Sequence, residues 1–189
     1  MCDVELLEGL LTRRSVGKLG EPAPDDDAVR RMLAAAVAAP DHGLVRPWRF
    51  VVLRGAARER LGDAFAAALL ARRPDAEDAA AEADRAKPVR APVLVAVVSA
   101  PRPSVKAPEW EQLASAAAAT QNLLLAAHAL GFGAMWRTGW YVDADEVRAE
   151  LGLSAAEKLV GLLYLGTPVA PPPERPAVDL AALTEWRDA

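Results

Sequence analysis

The segment from Glu109 to Gly139, EWEQLASAAAATQNLLLAAHALGFGAMWRTG, decides the fold class of this chain. Strong helix formers dominate its first two thirds and predict a long helix over about Glu109 to Leu130, with Gly131 as its C-terminal cap. This helix is apolar on more than one face, which indicates burial by neighbouring elements or by a second subunit. A short strand is predicted directly afterwards, from Gly133 to Arg137. A buried helix followed by a strand indicates a protein that mixes helices with a sheet.

Apolar patterns on both sides of this segment add further helices and strands. Apolar, β-branched runs predict strands at Trp48–Leu53, Val93–Ser99 and Leu159–Leu165. Helical spacing predicts helices at Val4–Thr12, Asp25 to Pro40, Ala57–Arg72, Asp75–Ala86 and Ala144–Leu151. Aspartates are predicted to cap two of these helices, at Asp25–Asp27 and at Asp143. The pattern favours an α+β fold in which helices surround a small buried sheet, and the lack of a Gly-x-Gly-x-x-Gly motif argues against a Rossmann domain.

Composition and charge exclude several classes of function. The 189 residues are 52% hydrophobic, which is enough for one domain with a sizeable core. The net charge is -4 with both signs interleaved, which argues against a nucleic-acid partner. No apolar run is long enough to span a membrane and the acidic N-terminus has no basic region, so we expect a cytoplasmic protein without a signal peptide. Cys2 is the only cysteine, and His42 and His128 lie far apart, so redox chemistry would need an organic cofactor.

Arg13-Arg14-Ser15 is a candidate anion site in the loop after the first helix. Two guanidinium groups beside a hydroxyl suit a phosphate monoester, because a dianion accepts bidentate charged donors together with a neutral one. The same residues could instead form a basic helix C-terminus that complements the helix dipole and contacts solvent. The spacing alone leaves both interpretations open.

Two further segments place polar side chains beside a predicted strand. His42 and Arg46 lie in the loop before the strand that begins at Trp48, where they could contact a ligand or simply be solvated. Arg137 emerges from an apolar strand between Trp136 and Thr138, and a half-buried arginine needs a partner, which could be a phosphate or a nearby carboxylate. The remaining tryptophans are expected to pack in the protein, at Trp110, Trp140 and Trp186.

The order of these motifs along the chain resembles that of one known family. The motifs are Arg-Arg-Ser at Arg13, Ala-Pro-Asp-His at Ala39 with Pro-Trp-Arg-Phe at Pro47, Trp-Glu-Gln at Trp110, Gly-Phe-Gly-Ala-Met-Trp-Arg-Thr-Gly at Gly131, and Val-Gly-Leu-Leu-Tyr-Leu-Gly-Thr-Pro at Val160. Each motif is loose, but their co-occurrence in this order is specific. The chain resembles the nitroreductase family, most closely its short YdjA-like branch, from about Leu6 to Pro168.

The resemblance implies a nitroreductase-like α+β fold, with a small mixed sheet wrapped by helices in an intertwined homodimer. Residues 1–168 would form the FMN-binding domain, and residues 169–189 an arm that packs on the partner subunit. Two FMN sites would lie at the dimer interface. The cofactor-binding positions would be Arg13, Arg14, Ser15, Trp136, Arg137 and Thr138, with His42 and Arg46 reaching the FMN of the partner subunit and Arg137 acting as a second phosphate arginine.

The resemblance also implies a chemistry, with two departures from the family pattern. NAD(P)H would reduce the flavin and leave, after which a nitroaromatic, a quinone or a similar acceptor would collect the electrons, so that no catalytic acid or base is required. Position 46 is arginine where many relatives have an amide, and the lysine that larger members direct at the flavin pyrimidine edge is missing, with Lys87, Arg85 or Arg90 as candidate substitutes. Two alternatives remain at this stage: a flavoenzyme of a different reaction, such as metabolite dehydrogenation or flavin breakdown, and a non-catalytic flavin-binding protein.

Overall fold

The computed structural model describes residues 5–172 and 174–187, and within these ranges it has one five-stranded sheet. Its strands are β1 (Leu19–Gly20), β2 (Trp48–Leu53), β3 (Val93–Ser99), β4 (Gly133–Arg137) and β5 (Lys158–Pro168). β5 is central: β3 and β4 pair with it on opposite edges, β1 pairs with its last two residues, and β2 pairs with β3. Every one of these ladders is antiparallel. The expected mixed character is limited, among the described residues, to an isolated parallel bridge between Ser15 and Ala134.

Helices cover both faces of the sheet, which confirms the α+β prediction. They are α1 (Leu6–Thr12), α2 (Asp26–Ala36), α3 (Ala56–Arg72), α4 (Asp78–Arg85), α5 (Glu109–Ala129) and α6 (Asp145–Glu150). β3 is buried at every position, as predicted, and its alternate side chains point to opposite faces. Val93, Val95 and Val97 pack with α2 and α5, whereas Leu94, Ala96 and Val98 pack with α3 and α6. The sheet is therefore the middle of three layers.

The helix ends test the capping predictions. Asp25 caps α2, because its side chain accepts a hydrogen bond from the backbone N–H of Ala28 at 2.8 Å. Gly131 follows the end of α5 with a φ of +82°, the left-handed backbone that glycine adopts at helix ends. The prediction for Asp143 is wrong, because this residue belongs to a one-turn helix, Trp140–Asp143, and α6 begins after Ala144 without a side-chain cap. An aspartate folded into that turn does not have the extended backbone that capping requires.

Large apolar side chains remain exposed on several surfaces of the single chain. α1 contains four leucines but no buried residue, and Leu7 and Leu11 are 67% and 60% exposed. Trp110 at the start of α5 and Trp186 near the C-terminus are 69% and 86% exposed, so the expected packing of these two tryptophans does not occur within the chain. No helix in the described part of the chain is long and apolar enough to cross a membrane.

Acid stability depends in part on an ion pair that joins β2 to the turn before β5. Arg49 Nε and Nη2 donate to the two carboxylate oxygens of Glu157 at 2.9 and 3.1 Å, and the carboxylate also accepts from the backbone N–H of Ser154. The hydrogen bond from Arg49 is the main reason that the pKa of Glu157 falls from 4.5 to about 2. Because the folded pKa lies below the unfolded one, the pair stabilises the fold above about pH 4.5, and this contribution is lost as the pH falls towards 2.

We therefore expect Glu157→Gln to destabilise the chain at pH 7 and to matter progressively less in acid. Arg49 is 36% exposed, so solvent screening limits the effect to on the order of 1–2 kcal/mol. Urea unfolding at several pH values between 7 and 2.5 measures the difference in the free energy of unfolding. Glu150→Gln, at the Arg60–Glu150 pair, is the control. A difference between Glu157→Gln and the wild type that stays constant over this pH range would contradict the assignment.

Candidate cofactor site

The loop after α1 lies along β4, which brings two of the predicted segments together. Ser15 forms the parallel bridge to Ala134, and the Val16 N–H donates to the Ala134 carbonyl at 3.0 Å. Gly17 continues the loop alongside β4, where a Cβ atom on this residue would lie 4.0 Å from Nη2 of Arg137. Arg13-Arg14-Ser15 and Trp136-Arg137-Thr138 are thus adjacent in the fold, although more than a hundred residues separate them in the sequence.

Three guanidinium groups converge where α1 ends. Arg14 Nη1 donates to the carbonyl oxygens of Leu11 and Arg13, and Arg175 Nη2 donates to the Arg13 carbonyl at 2.8 Å. Burial lowers the pKa of Arg13, and the positive charges of Arg175 and Arg14 lower it further. Among the described residues, no carboxylate forms an ion pair with Arg13, Arg14 or Arg175. A cluster of like charges that lacks a counter-ion is suited to bind an anion.

His128 borders this arginine cluster as an uncharged donor. The Thr12 hydroxyl donates to the Glu8 carbonyl at 2.7 Å, so its oxygen accepts the hydrogen bond from His128 Nε2 at 3.0 Å. Burial lowers the pKa of His128, and Arg13 and Arg14 lower it further. The imidazole is therefore neutral at pH 7, and it leaves the positive charge of the cluster to the arginines.

A cavity of about 480 Å³ opens beside Arg137, at the end of β4. Lys87 and Arg90 line it from the segment before β3, Tyr164 from β5, and the remaining wall comes from Met135, Trp136, Arg137, Thr138, Gly139, Trp140 and Tyr141. The Arg137 guanidinium lies 5.3 Å from the centre of the Tyr164 ring, and its buried Nε atom has no hydrogen-bond partner. The cavity thus combines three cationic side chains with aromatic surfaces and a buried donor that lacks an acceptor.

The tyrosines of this cavity are held in their protonated form. Burial raises the pKa of both Tyr141 and Tyr164. The Tyr141 hydroxyl donates to the Thr138 carbonyl at 3.1 Å, which orders the turn after β4. Both side chains are therefore protonated at neutral pH and can donate hydrogen bonds.

A β-bulge in β5 makes room for Trp136. Val97 pairs with Gly161 and Val98 pairs with Leu159, so Val160 is the extra residue. The Val160 carbonyl accepts a hydrogen bond from Trp136 Nε1 at 3.2 Å, and a Cβ atom on Gly161 would overlap the same indole edge. Glycine is required at position 161 because the indole ring packs directly on the backbone there.

We expect Gly161→Ala to destabilise the chain by about 1–3 kcal/mol, since an added methyl group must displace Trp136. Urea unfolding gives the free-energy change. The same substitution in a Trp136→Phe background is the control, because the smaller ring leaves space for the methyl group and the cost should fall. Equal costs in the two backgrounds would show that the strain does not come from the indole.

The second predicted segment lies elsewhere, at the other end of α5. His42 Nδ1 and Glu111 Oε2 are 2.5 Å apart, so the His42 loop is attached to the first turn of α5. Arg46 is exposed with a φ of +52°, a left-handed conformation that is held by a hydrogen bond from its N–H to Asp41 Oδ2 at 2.7 Å. His128 lies 17 residues after Glu111 in the sequence, which corresponds to about 25 Å along the helix axis. One chain therefore does not bring His42 and Arg46 to the arginine cluster.

The Trp-Glu-Gln motif at the start of α5 has a structural role. Gln112 is buried and exchanges hydrogen bonds with the backbone of Arg102, and its amide also donates to the Ala107 carbonyl at 2.8 Å. Glu111 is the partner of His42. The motif thus orders the connector between β3 and α5.

Sequence reasoning missed several residues of the site. Arg175 follows the run of prolines in the C-terminal segment, and no local pattern marks it as a ligand. Tyr164 lies inside an apolar strand, and its hydroxyl group is the only polar feature that distinguishes it from the aliphatic residues around it. Of the three candidate cations, Lys87 and Arg90 line the cavity, whereas Arg85 pairs with Asp63 of α3 and Glu82 of α4.

Comparison with known proteins identifies the family. A sequence profile described as "Nitroreductase family" matches residues 10–167. The chain belongs to the nitroreductase family. Its sequence is 39% identical over 165 residues to the "Putative NAD(P)H nitroreductase YdjA" of Escherichia coli K12, and the match covers 87% of this chain and 89% of that relative. The predicted resemblance is therefore confirmed, including its closeness to the short YdjA-like branch.

Solved structures of nitroreductase-like proteins share the fold. The nitroreductase-like family protein from Bacillus cereus superposes with a TM-score of 0.83 at 23% identity, over 100% of this chain and 99% of the other. A "putative nitroreductase in complex with fmn" from Desulfovibrio desulfuricans superposes with a TM-score of 0.74 at 26% identity, over 99% of each chain. The nitroreductase fold predicted from the motifs is confirmed.

Proposed function

We propose that this chain is an FMN-dependent oxidoreductase that takes hydride from NAD(P)H and reduces an acceptor such as a nitroaromatic or a quinone. The observation that supports this most strongly is the arginine cluster without a counter-ion, adjacent through β4 to a cationic, aromatic cavity. Family membership and the FMN-bound relative support the same assignment. FMN would supply the hydride chemistry when it is bound, and the protein would bind and orient it.

The arginine cluster is suited to the FMN phosphate. Arg13, Arg14 and Arg175 offer charged donors, and the exposed Ser15 follows them in the same loop. A phosphate dianion would relieve the repulsion that lowers the pKa of Arg13. The arrangement also explains why a segment as far along the chain as Arg175 folds back onto the end of α1.

The cavity at the end of β4 is suited to the flavin ring. Trp136 and Tyr164 offer apolar surface, and Arg137 Nε would gain an acceptor from an oxygen of the cofactor. Lys87 and Arg90 would take the place of the pyrimidine-edge lysine of larger family members, since Arg85 is occupied by Asp63 and Glu82. Positive charge at this edge favours the reduced, anionic ring over the oxidised one.

The active form that we propose is a homodimer in which the α5 helices of two copies pack antiparallel. Antiparallel packing would bring the His42 loop of one copy to the arginine cluster of the other, whereas within one chain the two lie at opposite ends of α5. The exposed leucines of α1 and the exposed Trp110 would be covered in the same contact. Within the predicted arm, residues 169–189, Arg175 contacts the arginine cluster of its own chain, so the part after Arg175 would pack on the partner subunit, and the exposure of Leu180, Leu183 and Trp186 supports this role.

Anaerobic titration of the FMN-loaded protein tests the proposed function. The purified chain is incubated with FMN, desalted, and titrated with NADH and with NADPH while the flavin absorbance is followed. Retained flavin bands that bleach with either nucleotide, and return when a quinone is added, are expected. Bands that are retained but do not bleach would favour a flavoenzyme with another donor or a non-catalytic flavin protein. Loss of all flavin on desalting would refute the phosphate-site assignment.

A further inference from the structure

A buried carboxylate lies next to Lys87, the proposed flavin-edge lysine. Asp84 is 7% exposed and is the only charged residue among the buried side chains of the described chain. A buried carboxylate is costly unless it is paired. Its ion-pair partner is the ammonium group of Lys87, which lines the cavity.

The position of Asp84 is unfavourable for the helix that contains it. It lies in the last turn of α4, where the negative end of the helix dipole repels a carboxylate. Helix stability therefore does not account for an aspartate at this position. The ion pair with Lys87 does account for the aspartate, because Lys87 follows three residues later and its ammonium group reaches the carboxylate.

The backbone between the two residues is held in place. The Lys87 N–H donates to the Asp84 carbonyl at 3.0 Å, and the buried Pro88 begins the next turn. α3 packs so closely here that a Cβ atom on Gly62 would overlap the Arg85 carbonyl oxygen. With its backbone ordered in this way, the direction of the Lys87 side chain is set by its contact with Asp84.

Asp84 also influences a second residue of the cavity wall, Tyr141. Burial is the main reason that the pKa of Tyr141 is raised, and the charge of Asp84 raises it further. Tyr141 lines the same cavity as Lys87. The carboxylate thus acts on two side chains of the cavity wall, Lys87 and Tyr141, while Asp84 itself does not line the cavity.

We propose that Asp84 is a positioning residue, whose buried carboxylate holds the Lys87 ammonium at the cavity wall so that it presents a fixed positive charge to the bound flavin. This inference rests on the proposed function. The role of Asp84 is indirect. Its carboxylate by itself would disfavour the anionic reduced flavin, whereas the Lys87 ammonium group that the carboxylate orders would favour the reduced flavin.

The test is the two-electron reduction potential of FMN bound to the wild type, Asp84→Asn, Lys87→Gln and the double variant. Each single variant is expected to weaken binding of reduced FMN about tenfold relative to oxidised FMN, which lowers the potential by about 30 mV. The double variant should show no larger decrease than either single variant, because each substitution abolishes the same effect, the fixed Lys87 ammonium group at the cavity wall. Lys87→Arg should keep most of the wild-type potential. Asp63→Asn, at the exposed pair with Arg85, is the matched control and should leave the potential unchanged.

Other outcomes overturn the inference in distinguishable ways. A higher potential in Asp84→Asn would mean that the carboxylate acts on the flavin directly, and additive decreases would mean that the two residues act independently. Unchanged potentials with FMN retained would refute the role of the Asp84–Lys87 pair but would leave the proposed function standing. A wild type that retains no FMN would refute the proposed function, and this inference with it. If Asp84→Asn does not fold, Asp84→Ser removes the same carboxylate with a smaller side chain and must give the same decrease.

Discussion

Arg13→Ala is expected to lower the affinity for FMN by roughly tenfold to a hundredfold. The side chain belongs to the arginine cluster that we assign to the phosphate, and a charge-assisted hydrogen bond contributes about 1.5–3 kcal/mol. The loss should exceed the value for an exposed arginine, because Arg13 is half-buried and has no competing carboxylate among the described residues. Titration of FMN with the apoprotein, followed by quenching of flavin fluorescence, measures the dissociation constant.

A surface arginine serves as the matched control for this experiment. Arg60 on α3 pairs with Glu150 and is 61% exposed, so Arg60→Gln should leave FMN affinity unchanged. Raising the ionic strength should weaken wild-type binding more than it weakens binding by Arg13→Ala, since the variant has lost part of the electrostatic attraction. Equal affinity of Arg13→Ala and the wild type would mean that the phosphate binds elsewhere.

The double variant Leu7→Glu/Leu11→Glu is expected to be monomeric and to lose FMN. Both leucines lie on one face of α1 and are at least 60% exposed in the single chain. Burying one leucine contributes about 1.5–3 kcal/mol, so two carboxylates in the same contact would remove most of the association energy. The monomer would lose FMN because His42 and Arg46 would no longer reach the arginine cluster of a partner. Light scattering during size-exclusion chromatography gives the mass, and the flavin absorbance of the same peak gives the occupancy.

Leu70→Glu controls for a change of leucine to glutamate at a surface away from α1. Leu70 is 40% exposed on α3, which covers the opposite face of the sheet from α5. This variant should stay dimeric and retain FMN. A wild type that is monomeric with bound FMN would contradict the shared site, and a dimeric double variant would place the interface on another surface.

Most of the fold could be predicted from local patterns. β3 is apolar at consecutive positions because both of its faces are covered, and α5 is a long run of helix formers that ends at a glycine, so each pattern had a direct physical cause. The capping prediction for Asp143 was wrong because this residue is the last residue of the preceding one-turn helix. Strand order was not predictable, because β5 comes last in the chain and yet lies in the middle of the sheet.

For the candidate site, the sequence indicated individual residues but not how they are arranged in space. Arg13 is a candidate from the sequence because two arginines precede a serine, and Arg137 because an arginine that emerges from an apolar strand needs a partner. Their adjacency could not be predicted, since it depends on the loop after α1 pairing with β4 through Ser15 and Ala134. His42 and Arg46 were chosen from the family pattern, and their contact with FMN remains a prediction.

The sequence by itself determined the family, the α+β class and the residue types that can bind a phosphate, because these depend on periodicity and on motifs read in order. Only the tertiary structure selected Lys87 and Arg90 over Arg85, added Arg175 to the arginine cluster, and required glycine at position 161. Each of these depends on contacts between segments that are distant in the chain or on which side of a helix a side chain emerges. Such contacts are set by how the layers pack, and they cannot be predicted from local sequence patterns.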